Sequence, residues 1–335
     1  MMYLVGLALI FLIVSVIFLR VYISSGTKCS LDRRLDGKVI IITGGNSGIG
    51  KAAALELAKR GARVIIGCRN KVKAEAAVTL IRRRTGSDAV HYLPLDLASL
   101  ESVKQFVDMF IKQYGPAYAL VNNAGYMGPK QMSHDRYDLC FQVNYLGHYY
   151  LTQLLIQKSK PDKSSPLRVI NVVSDSYVNS LVDFDDIMIE RNSYQVFDAY
   201  GRTKLALIWF SNELNYRYWD SAVTSVPIHP DSMLPPFAGL LEVQSVQTSY
   251  TIGQGLSGRV LRLMAKLFFR SPETGAQSIV HSALVGSLED YIGKLVYDCK
   301  PIRLAAVAKD HRKAERLWDI SWDMCPLEDL KMKIH

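Results

Sequence analysis

The chain has 335 residues, 49% of them hydrophobic and 21% charged, which excludes wholesale disorder and suits one large α/β domain or two small ones. Its 40 Lys and Arg against 31 Asp and Glu leave a formal charge of +9. That surplus fits a phosphorylated cofactor or a membrane surface, while the lack of a dense basic run with interleaved aromatics argues against nucleic acid.

The first element is an uncharged apolar run from Met2 to Leu19. At about 1.5 Å per residue it nearly spans a hydrocarbon core of roughly 30 Å, and Val21–Ile23 extend it past a snorkelling Arg20. We read residues 1–25 as a transmembrane anchor. Arg20, Lys28, Arg33, Arg34 and Lys38 all follow the run, which places the main domain in the cytosol, with the endoplasmic reticulum as the default membrane. The alternative is a cleavable signal peptide ending at Ser24-Ser25-Gly26, but no basic residue precedes the run. Residues 26–37 read as a linker, 38–300 as the main domain and 301–335 as a helical extension.

From Lys38 onward short β-rich runs alternate with helical stretches. The predicted strands are 38–43, 63–67, 90–95, 118–122, 167–173, 223–228 and 294–298. Helices are predicted over 50–59, 100–113 and 139–157, with Gly61 ending the first. Strands this apolar imply a parallel sheet buried on both faces, hence an α/β fold with a single doubly wound Rossmann-type domain. Pro230, Pro235 and Pro236 break the segment 230–275, which reads as an irregular loop near the ligand crevice. Cys29, Cys68, Cys140, Cys299 and Cys325 are odd in number and far apart, which argues against a disulfide framework or a zinc site.

The first strand runs into Thr43-Gly44-Gly45-Asn46-Ser47-Gly48-Ile49-Gly50, followed by an alanine-rich helix. Glycines allow a tight turn and close approach of a pyrophosphate to the helix N-terminus, so the segment reads as a dinucleotide fingerprint. An acidic residue closing the second strand would hold an adenosine ribose hydroxyl; the sequence there is Gly67-Cys68-Arg69-Asn70. Arg69 instead suits a 2′-phosphate and favours NADP(H). Further on, Tyr200 and Lys204 stand at i and i+4, on one face of a helix. A nearby ammonium favours the phenolate, which equips a tyrosine to exchange a proton with an alcohol or carbonyl oxygen.

These motifs occur in order with Asp96-Leu97, Asn122-Asn123-Ala124-Gly125, Asn144 in VNYLGH and Ser174. Together they resemble the short-chain dehydrogenase/reductase family, in its membrane-anchored, retinol dehydrogenase-like branch. The resemblance implies that Tyr200 is the acid/base, Lys204 binds the nicotinamide ribose, Ser174 bonds the substrate oxygen and Asn144 holds a relay water. It places Gly44, Asn46, Ser47, Gly48, Ile49 and Gly50 at the pyrophosphate. Asp96 and Leu97 fall at the adenine, and Asn123, Ala124 and Gly125 beside the cofactor. Each residue has a purely structural alternative: Asn144 satisfying backbone groups, Asp96 capping the next helix, Ser174 ending a strand with Ser176 as its rival. The chain departs from the family where Asp231 and Pro235 replace a customary glycine and threonine, which bears on cofactor affinity.

His148, Tyr149 and Tyr150 read as packing residues, and Trp318 and Trp322 as a packing stripe with a membrane-surface alternative. The expected activity is NADP(H)-dependent interconversion of a lipophilic alcohol and its aldehyde or ketone, retinoids first and steroids or fatty aldehydes next. Reduction is the expected cellular direction, and homodimerisation is left open. The alternative is a membrane-tethered nucleotide-binding scaffold with little turnover.

Overall fold

Each predicted strand forms, because its β-branched residues bury on both faces of one sheet. The computed structural model describes residues 27–219, 221–230 and 271–327, with the single positions Tyr3, Phe11, Val14 and Ser15. The strands are β1 (Val39–Thr43), β2 (Arg63–Cys68), β3 (Val90–Pro94), β4 (Ala119–Asn122), β5 (Leu167–Val172), β6 (Val223–Ile228), β7 (Lys294–Tyr297) and β8 (Lys300–Arg303). Among the described residues they form one sheet in the order β3-β2-β1-β4-β5-β6-β7-β8. All neighbours pair in parallel except β7 and β8. The sheet is therefore mostly, not wholly, parallel. Strand β8 is not anticipated by the sequence pattern, since its four residues are exposed and carry no buried alternation.

Helices cover both faces. On one side α1 (Gly48–Lys59), α2 (Lys71–Thr85) and α8 (Gln277–Leu284) pack on Ile40, Ile42, Val64 and Ile66. On the other, α3 (Leu100–Tyr114), α5 (Gly147–Ser159), α6 (Val196–Arg217) and α9 (His311–Met324) pack on Ile41, Ile65 and Leu120. This is the doubly wound arrangement, and it has a consequence for binding. The chain reverses direction across the sheet between β1 and β4, and ligands of open α/β sheets lie beyond the strand ends at that point.

The helix predicted over 139–157 is present but interrupted. Short α4 (Leu139–Phe141) is capped by Asp138, whose Oδ1 accepts from the Phe141 N–H at 2.9 Å. A π-turn then occupies Gln142–Leu146 before α5 begins, and Asn144 sits at its centre. Such insertions re-aim one side chain and recur at functional sites. The short helix α7 (Pro272–Gly275) lies against the first glycine turn, where a Cβ on Gly275 would stand 2.8 Å from the Pro230 carbonyl.

No described helix is long and apolar enough to cross a membrane. The expected anchor over 1–25 lies outside the described residues apart from its four single positions, and so do Asp231, Pro235, Pro236 and 231–270 of the expected loop.

Trp318 settles the aromatic stripe near the C-terminus. Its ring is 2% exposed, packs edge-on to Tyr149 at 5.2 Å and lies 4.9 Å below the Arg217 guanidinium. Trp322 is only partly buried against the same cluster. Trp318→Ala should destabilise the fold by about 3–5 kcal/mol through the cavity left between α5, α6 and α9. Urea unfolding monitored by circular dichroism measures it.

Candidate active site

The glycine turn is built by close approach. Gly44 and Gly48 have φ of +66° and +52°, a region L side chains rarely adopt. At Gly50 the constraint is space: a Cβ would meet Asn123 Nδ2 at 2.5 Å and the Gly44 carbonyl at 2.9 Å. Helix α1 thus begins pressed against the loop after β4. Its N-cap, Ser47, makes no side-chain capping bond, and its first turn contains no acidic residue. The N-terminal N–H groups and their partial positive charge therefore face the crevice uncancelled.

Arg69 lies just beyond β2, exposed, two residues after Gly67, which pairs with Thr43 at the start of the turn. Asn70 caps α2 by accepting from the Lys73 N–H at 2.9 Å, which leaves Arg69 as the one residue between β2 and the helix cap. Asp96 does not cap the next helix. Ser99 is that N-cap, and Asp96 instead accepts from the Ala98 N–H at 3.0 Å. Leu97 is buried, and the loop reaches the π-turn because Gly147 has no Cβ: one would stand 2.7 Å from the Leu97 carbonyl.

Asn123 holds the turn directly. Its Nδ2 donates to the Thr43 carbonyl at 2.8 Å, while the N–H groups of Asn123 and Ala124 both donate to Thr43 Oγ1 at 2.9 Å. Gly125 lies beside Asn144, and Tyr126 is bonded by it twice. Asn144 Oδ1 accepts from the Tyr126 N–H at 2.6 Å and Nδ2 donates to the Tyr126 carbonyl at 2.9 Å. Asn144 Nδ2 also donates to Thr203 Oγ1 at 3.0 Å, joining the π-turn to α6.

Thr203 stands between Tyr200 and Lys204 and donates to the Tyr200 carbonyl at 2.7 Å. The Lys204 side chain is buried, its Nζ donating to the Val172 carbonyl at 2.9 Å and lying 5.2 Å from the Tyr200 ring centre. Ser174 stands two residues past the end of β5 and caps the 3-10 turn Asp175–Asn179. Ser176 Oγ lies 3.1 Å from Ser174 Oγ and donates to it, so the two serines form one unit in which Ser176 supports Ser174. Tyr200, Lys204, Ser174 and Asn144 are thereby gathered around the C-terminal ends of β4 and β5, with the glycine turn and Arg69 on the β1–β2 side.

The short chain dehydrogenase family profile matches residues 38–239. This chain belongs to the short-chain dehydrogenase family. It is 35% identical over 305 residues to retinol dehydrogenase 12 of Mus musculus, covering 91% of each chain. To retinol dehydrogenase 13 of Homo sapiens it is 36% identical, covering 93% of this chain and 91% of that one. Among solved structures it is similar to an uncharacterized protein of Mycobacterium paratuberculosis, with a TM-score of 0.66 and 28% identity over 90% of this chain and 97% of that one. It is thus an oxidoreductase close to the retinol dehydrogenases.

Two residues of this short-chain dehydrogenase carry more than their sequence signal suggests. One is Gly201, where a Cβ would stand 2.8 Å from the Ser176 carbonyl, so its absence lets α6 close on the turn that holds Ser174. The other is His148, fully buried on α5. Burial pushes its imidazole pKa down to about 3, with the Lys204 charge acting in the same direction. The neutral ring has one donor and one acceptor. Nδ1 is 2.9 Å from the Asn144 carbonyl, which only accepts, so Nδ1 carries the proton. Nε2 then accepts from the Thr43 hydroxyl at 2.9 Å. With both its lone pairs taken by Asn123 and Ala124, Thr43 is saturated. The helical spacing of His148 one turn from Asn144 was visible in sequence, but its Thr43 partner was not.

Unfolding returns His148 to its ordinary pKa near 6.5, so between pH 6.5 and about 3 the unfolded chain holds a proton the folded chain refuses. Stability therefore falls on acidification, by up to about 1.4 kcal/mol per pH unit from this residue. His148→Gln should lower stability at pH 7.5 by about 1–3 kcal/mol through the broken buried bonds, while making the loss between pH 6.5 and 4.5 shallower. Urea unfolding across that range checks both.

Proposed function

We propose that the chain is an NADP(H)-dependent oxidoreductase that interconverts a lipophilic alcohol and its aldehyde or ketone, retinoids first and steroids or fatty aldehydes next. The observation that carries this is the buried ammonium of Lys204, fixed to Val172 and set 5.2 Å from the Tyr200 ring. A positive charge held there favours the phenolate over the phenol and suits Tyr200 to proton exchange at neutral pH.

The residues present fit a dinucleotide. The uncapped start of α1 and the space kept by Gly44 and Gly50 suit a pyrophosphate spread over Asn46, Ser47, Gly48 and Ile49. Arg69, exposed and with no acidic residue beside it at the end of β2, suits a 2′-phosphate. Asp96 and Leu97 border the adenine position, and Asn123, Ala124 and Gly125 line the strand end beside it. Bound NADP(H) supplies or accepts the hydride. Ser174, steadied by Ser176, donates to the substrate oxygen. Tyr200 gives that oxygen its proton in reduction and takes it in oxidation. Lys204 holds the nicotinamide ribose and tunes Tyr200. The side chain of Asn144 is committed to Tyr126 and Thr203, so its part in a proton relay falls to a water held at its main chain.

Residues 1–25 serve as a membrane anchor and 26–37 as a linker. Residues 38–300 form the catalytic domain, facing the cytosol at the endoplasmic reticulum, and 301–335 an extension. An anchored enzyme meets lipid-soluble substrates where they partition, and relatives named retinol dehydrogenases support the retinoid. Nothing observed favours the scaffold alternative.

NADPH should protect the full chain from thermal unfolding more strongly than NADH does. Arg69→Ala should weaken NADPH binding roughly ten- to a hundredfold, the worth of one or two charge-assisted bonds, with little change for NADH. Equal loss for both nucleotides would refute the assignment of Arg69. Tyr200→Phe should abolish turnover of retinal, as followed by NADPH absorbance, while leaving NADPH protection intact. A wild-type chain that binds NADPH yet reduces no member of a retinal, steroid and fatty-aldehyde panel would overturn the proposed activity.

A further inference from the structure

Two cysteines 270 positions apart in sequence meet just past the C-terminal end of β7, beside the start of α8. Thr27 fixes the linker to the β7–β8 turn: its N–H and its hydroxyl donate to the two carboxylate oxygens of Asp298 at 2.9 and 2.7 Å. Two residues on, the Cys29 N–H donates to Gln277 Oε1 at 3.0 Å, and the Cys299 N–H donates to Ser278 Oγ at 3.2 Å. The two backbones are thus pinned to adjacent residues of α8. Their thiols are within hydrogen-bonding reach of one another.

One turn along α8, His281 Nδ1 lies 4.0 Å from Cys29 Sγ, and its Nε2 is 2.8 Å from the Tyr291 hydroxyl. Cys29 therefore sits between a thiol donor and an imidazole. These contacts, the Cys299 bond first and the His281 bond next, hold its pKa well below the usual thiol range despite burial. Cys299 is partly exposed and occupies an unusual backbone. With Asp298 it forms the two-residue β7–β8 turn, at φ of +49° and +62°, the geometry that hairpins usually reserve for Asn and Gly. A cysteine kept at such a position, facing a second cysteine and a histidine, is set up for chemistry at sulfur.

We propose that Cys29 and Cys299 form a reversible dithiol–disulfide pair that responds to hydroperoxides, with Cys29 as the attacking sulfur and Cys299 as the resolving one. The Cys29 thiolate attacks one oxygen of hydrogen peroxide, the O–O bond breaks, and the departing hydroxide takes a proton to leave as water, giving a sulfenic acid. The sulfur of Cys299 then attacks Cys29 sulfur; the S–O bond breaks, and hydroxide leaves with the thiol proton as a second water. Two thiols are oxidised by two electrons in all, and one peroxide is reduced to two waters. The product ties the segment that follows the apolar run to the edge of the sheet. A thiol reductant reverses it by exchange.

The test treats the full chain with hydrogen peroxide, blocks remaining thiols, and maps peptides by mass spectrometry without reduction. The expected result is a Cys29–Cys299 cross-linked peptide that forms in step with the loss of both thiols and disappears on adding dithiothreitol. Cys299→Ser should stop the reaction at a Cys29 sulfenic acid that a dimedone probe captures, and Cys29→Ser should leave Cys299 unoxidised at the same dose. Cys325→Ser, which alters a cysteine outside the cluster, should give the wild-type cross-link. Peroxide treatment that leaves both thiols alkylatable, or that joins either one to a different cysteine, would overturn the proposal. So would oxidation of Cys29 at the same rate as the buried Cys68. None of these readouts depends on the proposed enzymatic activity.

Discussion

The hydroxyl of Thr43 ties together the parts of the fold that must meet at the crevice. It ends β1, accepts from the backbone beyond β4, and donates to the ring of His148 on α5. Through His148 the tie continues to the Asn144 carbonyl in the π-turn, and through Asn144 to Tyr126 and Thr203. Every group in this chain is buried or nearly so, and an unpaired donor or acceptor there costs far more than a bond at the surface returns. The chain therefore has one satisfied arrangement. That arrangement fixes the glycine turn relative to α6, and with it the dinucleotide side of the crevice relative to Tyr200 and Lys204.

Missing side-chain atoms do the complementary work. At Gly50, Gly147 and Gly201 a single Cβ would collide with backbone or amide atoms of a neighbouring element. Their absence lets α1 press on the loop after β4, lets α5 receive the loop at Leu97, and lets α6 close on the Ser174 turn. Hydrogen bonds then set direction while these contacts set distance. Lys204 illustrates the combination, since a buried ammonium needs a fixed acceptor, and the close seat of α6 supplies the Val172 carbonyl.

Much of this was legible in the residues. Runs such as VIII and RVIIG are short, β-branched and bounded by turn residues, so period and length give the strand. The glycine turn was legible because it sits between a strand and a helix, and the Tyr200–Lys204 pair because i and i+4 share a helix face. The interruption at Gln142–Leu146 was not, since a π-turn keeps the apolar pattern of the helix around it. Strand β8 was hidden because an exposed edge strand buries nothing and leaves no alternation. Asp96 was weighed as a helix cap, yet Ser99, three residues on, took that place.

By itself the sequence determined what local rules govern: where backbone can turn, which faces are apolar, and which side chains ride together on one helix. Those rules act over a few residues, so they specify strands, helices, the glycine turn and the spacing of Tyr200 and Lys204. The tertiary structure alone decided what depends on contacts between residues distant in the chain. It paired His148 with Thr43 and Asn144 with Thr203, seated Lys204 on Val172, and brought Cys29 to Cys299. Each such pairing rests on how close two packed elements come, and that distance is set by the whole core rather than by any stretch of the chain.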